Sequence, residues 1–175
     1  RQVDNTPGIT VQQFNFKSIY GNTPAGNALV NQITELQKQR VRQAMSLWSN
    51  YLGIVFVETA DQGWTIAVGD TQAIDPSAPS SAYRGIADPS RGLAIISSAQ
   101  NWGASDFGGD FQKVAMHELG ILLGLERTSD VPDSIMSGDI EDPTRPISNT
   151  LLFSGDAPLP GYNDITNGQV AQRPE

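Results

Sequence analysis

The sequence predicts a single α+β domain over residues 1–175, with 1–8 and about 138–163 rich in loop. Three observations lead there. Short runs of β-branched and aromatic residues recur between clusters of turn formers, as strands do. Two longer stretches carry apolar residues at spacings of three and four, the period of a helix. The length, 175 residues, suits one domain and is enough to bury a substantial core.

The elements follow in order. Residues 9–16 (ITVQQFNF) read as a first strand, and 20–27 (YGNTPAGN) as a loop by their Gly, Pro and Asn. A long helix is expected over 28–52, with Leu29, Ile33, Leu36, Val41, Ala44, Trp48 and Tyr51 on its apolar side. Gly53 ends it, and 54–58 (IVFVE) reads as a buried strand. Residues 65–69 (TIAVG) and 93–97 (LAIIS) read as further strands, with a short one around 84–87. The turn-rich link 101–110 leads into a second helix at 111–123, and a short helix is expected near 164–171. Neither a repeat nor an internal domain boundary is visible.

Composition removes several functions. The net charge of −8 disfavours nucleic acid and anionic membranes as partners. Lys38, Arg40 and Arg42 cluster on the first helix, but in so acidic a chain they read as a solvated face. With no cysteine, neither a disulfide nor a thiolate metal site can form. No apolar run approaches the roughly 18 residues of a membrane span. A chain opening on Arg1 is expected to be a mature form or a piece cut from a longer precursor.

The informative stretch is MHELGILLGLERT at 116–128, followed by DSIMS at 133–137. In zinc peptidases a helix carries H-E-x-x-H, because residues four apart lie on one face and can share a metal. The metzincin form adds a glycine three residues on, a third ligand three residues further, and a methionine turn. His117 and Glu118 stand in the first two places, Gly124 in the glycine place and Met136 in the turn. Together with Gly120, the upstream strand–helix–strand order and Asn101-Trp102 before the second helix, these residues make the chain resemble a matrixin-type metzincin over about 9–172. The resemblance implies a twisted, mostly parallel five-stranded sheet with about three helices, a cleft between two subdomains, and an extended substrate along an edge strand. Residues 93–97 are the expected edge.

The departure lies at the metal. Ile121 occupies the second ligand place and Arg127 the third. Ile121 offers no lone pair, Arg127 brings a positive charge, and His117 is the chain's only histidine. A structural zinc site is worth about 10–16 kcal/mol, so two lost ligands of four weaken it by about 6 kcal/mol, on the order of 10⁴-fold. No zinc cofactor is therefore expected, His117 and Glu118 are vestigial, and no catalytic residue is expected. Replacement ligands would have to come from Glu118, Glu126 or Asp130, with Asp130 the plausible one. Arg127 is expected either to turn inward and pair with Glu118 or to point into solvent. Ile121 is expected to pack as apolar core, and His117 to be a hydrogen-bonded interior histidine. A serine–histidine mechanism through His117 lacks any G-x-S-x-G support.

Two acidic turns, with Asp106 and Asp110 in one and Asp139 and Asp142 in the other, offer hard oxygen donors for calcium. Matrixins pin loops with calcium, so the resemblance implies that use; acidic surface turns without metal are the plainer reading. The functional expectation is a catalytically inactive pseudopeptidase, secreted or at the cell surface and of bacterial type. It would bind a protein or peptide by strand addition, or associate with itself or neighbouring domains, with no nucleic acid and no membrane insertion. The competing reading is a zinc endopeptidase with an unusual ligand set.

Overall fold

In the computed structural model of the chain, residues 10–129 and 133–149 are described. Seven strands form among the described residues, the five expected ones and two more: β1 Thr10–Asn15, β2 Ile19–Asn22, β3 Ala28–Val30, β4 Ile54–Glu58, β5 Trp64–Gly69, β6 Gly85–Asp88 and β7 Leu93–Ser97. Two α-helices accompany them among the described residues, α1 Glu35–Leu52 and α2 Asp110–Leu122. Five strands form one sheet in the order β4-β1-β5-β7-β6, and β2 and β3 form a separate hairpin. The first four run parallel, and β6 returns antiparallel to β7. A mostly parallel five-stranded sheet is thus present. The third helix expected near 164–171 lies outside the described residues.

Helix α1 begins at Glu35, later than the apolar period suggests. Thr34 caps it in a reciprocal box, its hydroxyl accepting from Gln37 N while the Gln37 side chain accepts from Thr34 N. The preceding residues are extended because they tie onto β5. Asn31 Nδ2 donates to Ile66 O, and Asn31 Oδ1 accepts from Val68 N. The stretch expected as loop at 20–27 instead contributes to the β2–β3 hairpin, whose Tyr20 packs against Ala67, Leu93 and Ile95 on the outer face of the sheet.

The expectation of a buried strand at 54–58 is corrected. β4 is a sheet edge, and Val55 and Val57 on it are exposed. The expected substrate edge at 93–97 is corrected too. β7 lies between β5 and β6, so the edge beside α2 is β6. Its adjacent-strand run LAIIS is wholly buried, as an interior strand requires.

The core lies between the sheet and the two helices. Val41, Ala44, Met45, Trp48 and Leu52 of α1 meet Phe111, Val114, Ala115, Met116 and Leu119 of α2. Trp48 Nε1 donates to Met116 O at 3.0 Å, joining the helices across the core. The basic residues of α1 face outward: Lys38 pairs with Glu35 and Arg42 with Glu58, while Arg40 Nε donates to Ser105 O.

Candidate functional site

Helix α2 carries the HE pair through the centre of the molecule, and every residue from Phe111 to Leu122 is buried. Gly120 allows this. A methyl group there would run into Met136 Sδ and press on Trp48, so the sulfur of the methionine turn lies directly against the helix backbone. Gly124 then turns the chain with φ of 94°, a left-handed conformation that favours glycine. Gly124 N donates to Ile121 O and Leu125 N to Gly120 O, closing the helix end.

Beyond that turn the chain comes back on itself. Thr128 N donates to Met136 O, and Gly138 N donates to Thr128 O. This clip lays Arg127 beside the loop 138–145, where a single turn of 3₁₀ helix, Gly138–Ile140, delivers Glu141 inward. Arg84, just before β6, holds that loop in place. Its backbone N donates to Glu141 O at 2.8 Å, and its guanidinium donates to the carbonyls of Asp139, Ile140 and Arg145.

The result is a buried polar knot. His117 is fully buried, with Nδ1 2.8 Å from Ile135 O and Nε2 3.1 Å from Glu141 Oε2. Arg127 donates through Nε to Glu141 Oε1 and through Nη2 to Glu141 Oε2, both at 2.9 Å. Glu118 is buried beside them, and neither of its carboxyl oxygens has a hydrogen-bond partner among the described residues. Burial pushes the Glu118 carboxyl well above its usual value, and the neighbouring Glu141 charge pushes it further. Burial also acts upward on Glu141, but the hydrogen bond and charge of His117, followed by those of Arg127, outweigh it and hold Glu141 at about 2. The hydrogen bond to Glu141 raises Arg127.

The expected Arg127–Glu118 pair is therefore corrected. Arg127 turns to Glu141, which offers it a carboxylate already held in hydrogen-bonding geometry by the Arg84 clamp. Nor does Arg127 simply point into solvent, although its side chain is 44% exposed. Ile121 packs in the core cluster and also lines an open depression with Pro89, Gly124 and Leu125. Asp130 lies outside the described residues, and Glu126 lines the same depression without joining the knot.

The residue that sequence reasoning missed is Glu141. No spacing rule reaches it from Arg127; the available signal was an acidic loop directly after the methionine turn. The knot bears on the metal in two ways. The family's catalytic zinc does not fit these residues, since Ile121 has no donor atom and a guanidinium sits on Glu141 at the third place. Yet His117, Glu118 and Glu141 each present a donor atom within 4.8 Å of the others, so this group can hold a metal.

The calcium candidates are elsewhere. Asp106 and Asp110 line one open depression with Trp102 and Ser105. Asp139 and Asp142 both face Arg145 at 3.7 Å, and Asp142 Oδ1 accepts from Thr144. Among the described residues, His117, Glu118 and Glu141 are the one group of three metal-ligating side chains gathered closely.

The family model described as matrixin matches residues 27–150, well over half of the chain. No curated protein matches it. Among solved structures, the GM1-bound form of the ECX AB5 holotoxin is similar at 19% identity and a TM-score of 0.44, covering 95% of this chain and 81% of that one. Among the described residues no helix is long and apolar enough to cross a membrane.

Proposed function

The chain belongs to the matrixin family, and on that premise we propose that its peptidase chemistry is lost and the domain is kept as a binding or structural module of a secreted or surface protein. Matrixins normally bind zinc, and peptide hydrolysis in such enzymes needs three protein ligands, an open position for water, and a carboxylate free to take the proton. One observation carries the reading: Arg127 grips Glu141 at the third ligand place, with both oxygens engaged. Ile121 supports it by filling the second place with hydrocarbon. Glu118 supports it as well, because a buried carboxyl that favours its proton is a poor base.

What remains useful is the cleft. Pro89, the residue after β6, lines a depression of about 460 Å³ with Ile121, Gly124, Leu125, Glu126 and Arg127. It suits an extended peptide laid beside β6, held without a metal. Self-association or packing on neighbouring domains is the other form of the same reading, and size-exclusion chromatography separates the two.

The test is proteolysis by the purified protein with zinc added, on casein and a mixed-sequence fluorogenic peptide pool. No cleavage above blank is expected. Cleavage that disappears in Glu118→Gln would instead establish the second reading, a zinc endopeptidase with an unusual ligand set, which the His117–Glu118–Glu141 group favours.

A further inference from the structure

Strand β4 lies at the far end of the sheet from the cleft. It pairs with β1 in unbroken register and, on its other side, with no strand among the described residues. Natural sheet edges are blunted by lysine, by proline or by a bulge. β4 reads IVFVE and has none of these; its one charge, Glu58, stands at the end and is held by Arg42 Nε at 2.7 Å. Both faces of the strand are apolar. On the face away from the helices, Val55 and Val57 are 46% and 40% exposed, and Val11 of β1 stands beside Val55 at 39%. On the helix side, half-buried Phe56 lines an open depression of about 360 Å³ with Phe14, Arg42, Met45 and Glu58.

We propose that β4 pairs antiparallel with β4 of a second copy of this chain, about a two-fold axis through Phe56, so that two five-stranded sheets become one. The strand is complementary to itself. A two-fold axis joining two edges side by side runs perpendicular to the sheet, so residues opposite each other share a face. Centred on Phe56, the pairing uses the whole strand. Val55 meets Val57 of the second copy, Phe56 meets its own counterpart, and Ile54 meets Glu58. On the outer face the row Val11–Val55 continues into Val57 and Gln13 of the second copy, so the exposed valines cover one another as cross-strand pairs. On the helix side the two Phe56 rings meet beside the two depressions, which give them room to pack. Charge does not oppose this register. The two Glu58 carboxylates stand about 13 Å apart along the ladder, each with its own Arg42. A foreign extended peptide is the other occupant an edge accepts, but it must supply the alternation of valine and phenylalanine that a second copy brings in register.

The inference deepens the self-association form of the proposed module and rests on it. Five residues of edge make a small interface, so the dimer is weak, with a dissociation constant of about 10–100 µM. The net charge of −8 on each copy adds a long-range repulsion that salt screens.

The experiment is sedimentation velocity of the whole chain from about 5 to 500 µM, in low salt and in about 0.5 M sodium chloride. A monomer–dimer equilibrium that tightens with salt is expected. Val55→Lys/Val57→Lys sets like charges against each other across the strands and should weaken the dimer by about a hundredfold. Both side chains are exposed, so circular dichroism should show the variant folded. Register is read by cross-linking, since the chain has no cysteine of its own. Under mild oxidation a mixture of Val55→Cys and Val57→Cys should form a disulfide-linked mixed dimer. Either variant alone should link far less, because like positions lie a diagonal step of about 7–8 Å apart, beyond disulfide reach. A monomer under every condition, a dimer indifferent to the lysine variant, or single variants that link as well as the mixture overturns the pairing. Each of these leaves the loss of peptidase chemistry standing. Peptide cleavage by the protein would overturn that loss and leave the dimer in place.

Discussion

Arg127 meets Glu141 with both prongs of its guanidinium, Nε to Oε1 and Nη2 to Oε2, each at 2.9 Å. The carboxylate is nearly buried while the guanidinium is half in water, so solvent screens one partner and not the other. Arg127→Gln leaves the buried carboxylate with His117 as its remaining side-chain partner. Its expected cost is about 1–3 kcal/mol, between the values for exposed and buried pairs. Chemical denaturation in the presence of a chelator measures it. The double variant Arg127→Gln/Glu141→Gln should lose less than the sum of the single losses, because the two residues act as a unit. Strictly additive losses would show that the pair contributes nothing as a pair.

Glu141 ties stability to acid. Its carboxyl is lowered from 4.5 to about 2 in the folded protein. Above pH 4.5 both folded and unfolded forms are ionised, and the full contribution, about 3 kcal/mol by linkage, is present. As pH falls below that, the unfolded chain takes up a proton first, so the contribution fades towards pH 2. Glu141→Gln should therefore lower Tm at pH 7 and converge on the wild type by about pH 2–3. A Tm gap constant across that range would detach the carboxylate's charge from stability.

Glu118 has the opposite sign. Burial, then the Glu141 charge, raises its carboxyl well above 4.5. Below pH 4.5 both states hold the proton and nothing is lost. With rising pH the unfolded chain releases it while the folded chain keeps it, so stability declines until the folded carboxyl ionises. In chelator, Glu118→Gln should raise Tm, and raise it more at pH 8 than at pH 4.5. Equal Tm values at pH 8 would mean that the buried carboxyl carries no penalty.

How far the sequence disclosed this arrangement depends on how local each feature is. α2, β1, β5 and β7 were legible because their own residues carry the period or the β-branched run, and Gly124 because a left-handed turn favours glycine. The start of α1 was misplaced since Leu29 and Ile33 continue the apolar spacing, although the capping pair Thr34 and Gln37 marks the true boundary. The positions of β4 and β6 at the edges were not legible, because strand order depends on which runs meet in space. At the site, the loss of donors at Ile121 and Arg127 could be read by register alone. The Arg127–Glu141 bond could not, because Glu141 is brought there by the Thr128–Met136 clip and the Arg84 clamp.

Gly120 offers a test of the packing on which the site stands. The methionine turn touches α2 at this residue, where an added Cβ would collide with Met136 Sδ and lie 3.1 Å from Trp48 Cζ2. Met136 and Trp48 are both fully buried, so neither has free space to retreat into. Gly120→Ala gains helix propensity of roughly 1 kcal/mol, but overpacking of about 1–3 kcal/mol works against it. We expect a net loss of stability in urea, together with looser attachment of the loop bearing Glu141, visible as faster amide exchange at Ser137–Glu141. Met136→Ala in the same chain removes the sulfur and leaves the new methyl in the space it vacates. The double variant should then lose less than the two single variants combined. If Gly120→Ala instead stabilises the protein and leaves exchange at the loop unchanged, the methionine is not packed against the helix as described.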